Sequence, residues 1–304
     1  WLNMGRRYET VSFLSDYGTE DEFVGVVHSV LRSIAPHAAI IDVTHGVPAF
    51  DIRAGALTLA RSAQYLCGGV VLAVVDPGVA TNRRAVAVEV GDGDSVLVGP
   101  DNGLLAPAVA LVGGASRAVS LTEAAYQLPA PGPTFAGRDV FAPAAAHLAN
   151  GVDLAELGEE VDVAGLVPGV MPVAVVESDG IHAEVLWSDR YGNVQLNVDP
   201  DELSRLAGAN GSVQVRIGER VHTARRVTAF DEVSTGGLGL AVDSYGLVAL
   251  VAARASAAAQ LGVGPGDAVV LIADVERAGI TTPVDVGRRP GVADGSDGLV
   301  SEGS

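Results

Sequence analysis

The feature that most constrains this chain is a series of near-continuous apolar runs in its first half. They are VSFLSD (11–16), AAIIDVTH (38–45), VVLAVVDPG (70–78) and AVAVEV (85–90), with SVLVGPDNG (95–103) close behind. Val, Ile and Leu with little alternation are what strands covered on both faces require. Between them, EFVGVVHSVLRSIAP (22–36) and IRAGALTLARSAQYL (52–66) carry helical spacing, with stops at Pro36 and Gly68–Gly69. Strand alternating with helix predicts an α/β domain with a mainly parallel sheet over residues 1–165.

The pattern changes after residue 172. VAVVES, HAEVLWSD, NVQLNV, SVQVRI, RVHTARRV, LVALVAA and AVVLIA are short strands parted by turn residues. They predict a smaller antiparallel β domain over 173–275. The Gly, Pro and acidic residues of 151–172 read as a linker. The tail, 281–304, is rich in Gly, Asp and Ser and is expected to be disordered. No internal repeat is visible.

Composition removes several function classes. With 304 residues, 48% of them hydrophobic, the chain can build two cores. No run of about 18 uncharged apolar residues occurs, so no membrane span is expected. Met4 reads as a natural start preceded by three added residues, and the apolar run behind it is too short for a signal peptide. One cysteine, Cys67, rules out an intrachain disulfide framework, and the cytoplasm is the expected compartment. The six histidines show no HxxxH or HExxH spacing, so no structural zinc is expected. The net charge is −18, and all 19 basic residues are arginines with no basic stripe. Nucleic acid and anionic membranes are therefore not expected partners.

In an open α/β sheet, ligands collect beyond the carboxyl ends of the strands. Those ends carry Asp16, Asp42 with Thr44 and His45, Asp76, and Asp101 with Asn102. A single Asp after a strand is an ordinary turn former; several along one edge point to a site. The first strand is followed by SDYGTEDEF rather than GxGxxG, which argues against a dinucleotide fold.

Six segments then occur in order: FLSDYGTEDEFVG, IIDVTHGVPAFDIRAGA, VVDPGVATNRR, VGPDNGLL, TFAGRDVFAPAAAHLA and SDRYGNVQLN. Together they resemble the S-adenosylmethionine hydroxide adenosyltransferase family, relatives of the fluorinase and chlorinase enzymes, over about residues 8–275. The resemblance implies an α/β domain followed by a β domain. It also implies a homotrimer whose ligand lies between the first domain of one subunit and the second domain of the next. The implied reaction is hydrolysis of S-adenosylmethionine to adenosine and L-methionine, without a metal or organic cofactor.

Site residues carry over by motif. Asp76 and Arg83 match two of the three groups that hold the attacking water. Asp16 matches the acceptor of the ribose hydroxyls, Asp21 lies near the methionine end, and Phe50 matches an aromatic packed on the substrate. Asp189 matches the partner of the methionine ammonium, Tyr191 the adenine stack and Asn193 a contact to the adenine edge. Phe230 and Ser244 match further adenine-side and methionine-side contacts.

The chain departs from the pattern at Ala136, where the hydrolases have His and the halogenases Tyr. Three readings stay open: a substituted histidine, a natural member working with Asp76 and Arg83 alone, or a binding protein that has lost its chemistry. The intact neighbours Phe135, Gly137, Arg138 and Asp139 favour the first, and imply a slowed hydrolase. A halogenase is the alternative within the family. It carries Tyr at the position of Asp76, where a carboxylate would repel a halide by several kcal/mol at low dielectric.

Overall fold

The computed structural model describes residues 6–206 and 211–273, so the expected disordered tail lies outside the described residues. The first sheet is built from β1 (Thr10–Ser15), β2 (Ala39–Thr44), β3 (Val70–Val74), β4 (Ala85–Val90), β5 (Ser95–Pro100) and β6 (Ala115–Ser120). Its order is β2-β1-β3-β5-β4-β6. Helices α1 (Phe23–Ile34) and α2 (Ile52–Ala63) make the first two crossovers, and α3 (Ala106–Leu111) and α4 (Ala142–Ala149) follow. Every residue of β3 is buried, as a run of unbroken apolar side chains between two layers demands. Two apolar cores result. One gathers Phe13, Leu31, Leu72 and Phe141, the other Leu14, Leu59, Val75 and Leu104.

The sheet is mixed rather than simply parallel. β2, β1, β3 and β5 run parallel, but β4 is antiparallel to both β5 and β6. Loop length explains this. Only residues 91–94 separate β4 from β5, and so short a connection makes a hairpin, since a parallel crossover needs a dozen residues or more. Of the stretch read as a linker, the first part packs on this sheet. Leu154 and Leu157 are buried, and the Val161 N–H donates to the Ala118 carbonyl at 2.9 Å.

The second sheet comprises β7 (Val175–Glu177), β8 (Gly180–Ser188), β9 (Val194–Leu196), β10 (Ser212–Ile217), β11 (Arg220–Arg226), β12 (Leu238–Val242), β13 (Val248–Val251) and β14 (Ala268–Ala273). β14 pairs with both β10 and β8, so seven strands close on themselves and β7 lies outside the ring. The expected antiparallel sheet is therefore a closed barrel with one parallel pair, β11 with β12. Closure leaves fewer edges exposed and surrounds a core of Ile181, Leu196, Val215, Leu240 and Leu271. Among the described residues, no helix is long and apolar enough to cross a membrane.

Candidate active site

Two groups of side chains stand out, one on each sheet. The first lies where β1 and β3 end. Asp76 leaves β3 with its side chain 6% exposed, and Arg83 returns to it seven residues later. The Arg83 Nε–H reaches Oδ1 at 2.8 Å and Oδ2 at 2.9 Å, and Nη2 closes on Oδ2. Such a charge-assisted, two-oxygen contact fixes the carboxylate's plane. The Arg83 guanidinium in turn sits 5.1 Å from the Phe141 ring.

Asp16 follows β1, and its Oδ2 accepts the Phe50 N–H at 2.9 Å. Phe50 adopts φ +68°, the left-handed region, with its ring largely exposed. That conformation is strained for a residue with a side chain, by about 1–3 kcal/mol. Tyr17 stands between these acids. Burial is the first cause that pushes its hydroxyl pKa well above the ordinary tyrosine value, and the Asp16 and Asp76 charges add to it against the pull of Arg83.

The PTFAGRD segment borders the same place. Phe135 packs edge-on to Tyr17 and Phe23, with ring centroids 5.8 and 5.1 Å away. Ala136 then opens a turn of π-helix, Gly137–Phe141, that runs into α4. A side chain at Gly137 would stand 2.1 Å from the Tyr17 hydroxyl, so this glycine is dictated by the tyrosine. Arg138 turns back on Asp139, at 2.6 Å. Asp21 is exposed in the loop ahead of α1.

The second group lies on the barrel. Asp189 accepts the N–H groups of Tyr191 and Asn193, both at 2.9 Å, and the Asn193 amide at 2.7 Å. Asp189, Asn193, Phe230 and Ser244 line one cavity of about 360 Å³, while the Tyr191 ring projects into solvent. Gln195 lines it too, and sequence reasoning missed it. Its amide nitrogen donates to Asp243, which turns the buried, unpartnered Oε1 away as a free acceptor. Its signal is the period of two in NVQ, with Gln195 in β9 two residues after Asn193 at the strand's approach.

Other strand-end candidates have separate tasks. Asp101 binds Arg84 and accepts the Val167 N–H, and the Asn102 side chain bonds Val75 and Leu104. A larger cavity of about 510 Å³ lies between α2 and the barrel; of the strand-end candidates Thr44 lines it, and none of the residues carried over by motif does. Arg61 stacks over Trp187 there, and Arg53 pairs with Glu184 across the seam. Among the described residues, no hydrogen bond or ion pair joins the Asp16–Asp76 group to the Asp189 group.

Residues 11–158 match the SAM hydroxide adenosyltransferase N-terminal domain, and residues 183–270 match its C-terminal domain. The chain belongs to the SAM hydroxide adenosyltransferase family. It is 46% identical over 257 residues to an (R)-S-adenosyl-L-methionine hydrolase of Salinispora arenicola, covering 84% of this chain and 95% of that one. A protein of the same name from Thermus thermophilus is 42% identical over 271 residues, 86% of this chain and 99% of the relative. A crystal structure of an uncharacterized conserved protein from Thermotoga maritima superposes with a TM-score of 0.79 at 33% identity, covering 86% of this chain and 99% of that chain.

Proposed function

We propose that the chain hydrolyses S-adenosyl-L-methionine to adenosine and L-methionine, and that it takes the R epimer for which its relatives are named. The observation that carries this is the Asp76–Arg83 pair, nearly buried and held by both carboxylate oxygens, beside Asp16 at the same sheet edge. A sulfonium leaves as a neutral thioether, so the leaving group needs no acid. What the reaction needs is a water in line behind C5′, opposite the C–S bond. Oδ2 of Asp76 accepts from both Nε and Nη2 of Arg83, while Oδ1 accepts only from Nε and keeps a lone pair for that water. As oxygen bonds to C5′, the C–S electron pair stays on sulfur, and the water releases one proton beside Asp76.

In this reading Asp16 accepts the ribose hydroxyls and Phe50 covers the sugar, while Asp21 lies near the methionine end. Asp189, Tyr191, Asn193, Phe230 and Ser244 hold adenine and methionine. The α/β unit, 1–165, and the β unit, 173–275, each supply half a site, and the halves meet between subunits of a homotrimer. A lone exposed Cys67 suits the reducing cytoplasm, where this reading places the enzyme.

Ala136 leaves the water with two of its three holders. The test is a chromatographic time course of adenosine and methionine from S-adenosylmethionine, for the chain and its Ala136→His variant. Restoring an orienting group is expected to raise turnover by about 10²–10⁴. Equal turnover sinks the role given to position 136, and two silent proteins that still bind the ligand make the fold a binder.

A further inference from the structure

His28, Asp42 and His45 converge on the same sheet edge as Asp16, next to the site described above, where the Gly18 N–H donates to the His45 carbonyl at 2.8 Å. The Asp42 Oδ1 lies 2.8 Å from the His28 Nε2 and 2.9 Å from the His45 Nε2. All three donor atoms fall within 4.8 Å of one another. They come from two elements: His28 from α1, and Asp42 with His45 from the end of β2 and the turn after it. The absence of a metal spacing in the sequence did not foresee this, because the fold rather than a local motif assembles the set.

The cluster is braced as a ligand set would be. Buried Phe13 backs both imidazoles, with centroids 6.1 Å from His28 and 4.6 Å from His45, and leaves their Nε2 atoms turned to Asp42. Behind His45, the fully buried Ser15 Oγ stands 2.8 Å from Nδ1. A metal on Nε2 needs the proton on Nδ1, and Ser15 is placed to accept it, as outer partners of metal-bound histidines do. Ligand atoms around a tetrahedral zinc lie about 3.3 Å apart, and the two carboxylate–imidazole separations of 2.8 and 2.9 Å are already close to that. Entry is open, since the side chains of His28 and Asp42 are 32% and 45% exposed.

We infer that His28, Asp42 and His45 form a binding site for a divalent ion of the zinc class, clipping α1 to the edge strand β2 with a fourth position left to water. Two imidazoles and one carboxylate suit that class rather than calcium or magnesium, which prefer all-oxygen sites. A second cluster, Glu177, Asp179 and His182, serves as the control. Arg216 donates to Asp179 at 3.1 Å, and a resident cation weakens that set as a metal site.

The experiment titrates EDTA-treated, dialysed protein with Zn²⁺ by calorimetry and repeats it with Co²⁺ by visible absorption. The expected result is one ion per chain, with cobalt bands of low coordination number. His28→Ala and Asp42→Asn should each weaken Zn²⁺ binding by about 100-fold or more, and His182→Ala should leave it unchanged. These positions are part-exposed and on separate elements, and circular dichroism checks that each variant is folded. Zn²⁺ should also raise the unfolding midpoint of the parent but not of the two ligand variants. No binding by the parent, equal binding by His28→Ala and Asp42→Asn, or loss in His182→Ala alone would each overturn the site and leave the cluster a hydrogen-bonded brace.

Discussion

At the residue scale, Gly137 against Tyr17 and Phe50 against Asp16 show how the site shapes the backbone. Gly137→Ala would drive a Cβ to 2.1 Å from the Tyr17 hydroxyl, so either the ring or the π-turn must move. The expected cost is about 1–3 kcal/mol in denaturant unfolding. Removing the hydroxyl leaves the Tyr17 Cζ, 3.0 Å from the new Cβ, as the nearest atom. Tyr17→Phe should therefore recover part of that loss in the double variant, and strict additivity would show that the two do not clash. Phe50, at φ +68°, makes the opposite case. An L-residue in that region costs about 1–2 kcal/mol, and glycine does not. Because the ring is largely exposed, Phe50→Gly should raise the unfolding midpoint slightly while weakening adenosine binding. A lower midpoint would show that the ring contributes packing its exposure hides. The sequence made Gly137 and Phe50 visible as motif members. It could not show the Tyr17 contact or the sign of φ, which depend on segments far apart in the chain.

At the element scale, unbroken apolar runs made β1, β3 and β5 legible, because strands buried on both faces tolerate little else. β12 was missed: LGLAV starts behind two glycines and holds a third, and glycine is poor strand evidence. Gly239 belongs there because a side chain would press on Val233 and Val227. Helix α4 offers a pH test. Its His147 packs against the Tyr126 ring at 4.9 Å, and burial pushes the imidazole's pKa below the ordinary 6.5. The unfolded chain takes up a proton as pH falls through 6.5, while the folded chain resists until its lower pKa. Over that window the unfolded state binds more protons, so His147 costs stability as pH falls, and costs nothing above it. His147→Leu should therefore lose less of its unfolding midpoint than the parent between about pH 7.5 and pH 5.5. An unchanged pH slope would mean that another group titrates there.

At the scale of the whole molecule, the sequence foretold an α/β unit and a β unit, but not the closed ring. Closure depends on β14 finding both β10 and β8, a pairing across the length of the barrel that no local pattern encodes. The two halves of the proposed site pose the same kind of question, since Asp76 and Asp189 sit on different sheets without a bond between their groups. If each site forms between subunits, defects in the two halves must complement one another. Asp76→Asn and Asp189→Asn, introduced with Ala136→His, should each abolish turnover as pure assemblies. Co-expressed with different tags and purified through both, the mixture should regain about a third of the sites, because every trimer that carries both tags has one head-to-tail junction of its three where an intact first half meets an intact second half. Light scattering should give three chains per particle in every case. If instead each site were closed within a single chain, every site in the mixture would carry one defect and no adenosine would appear, whatever the particle's size.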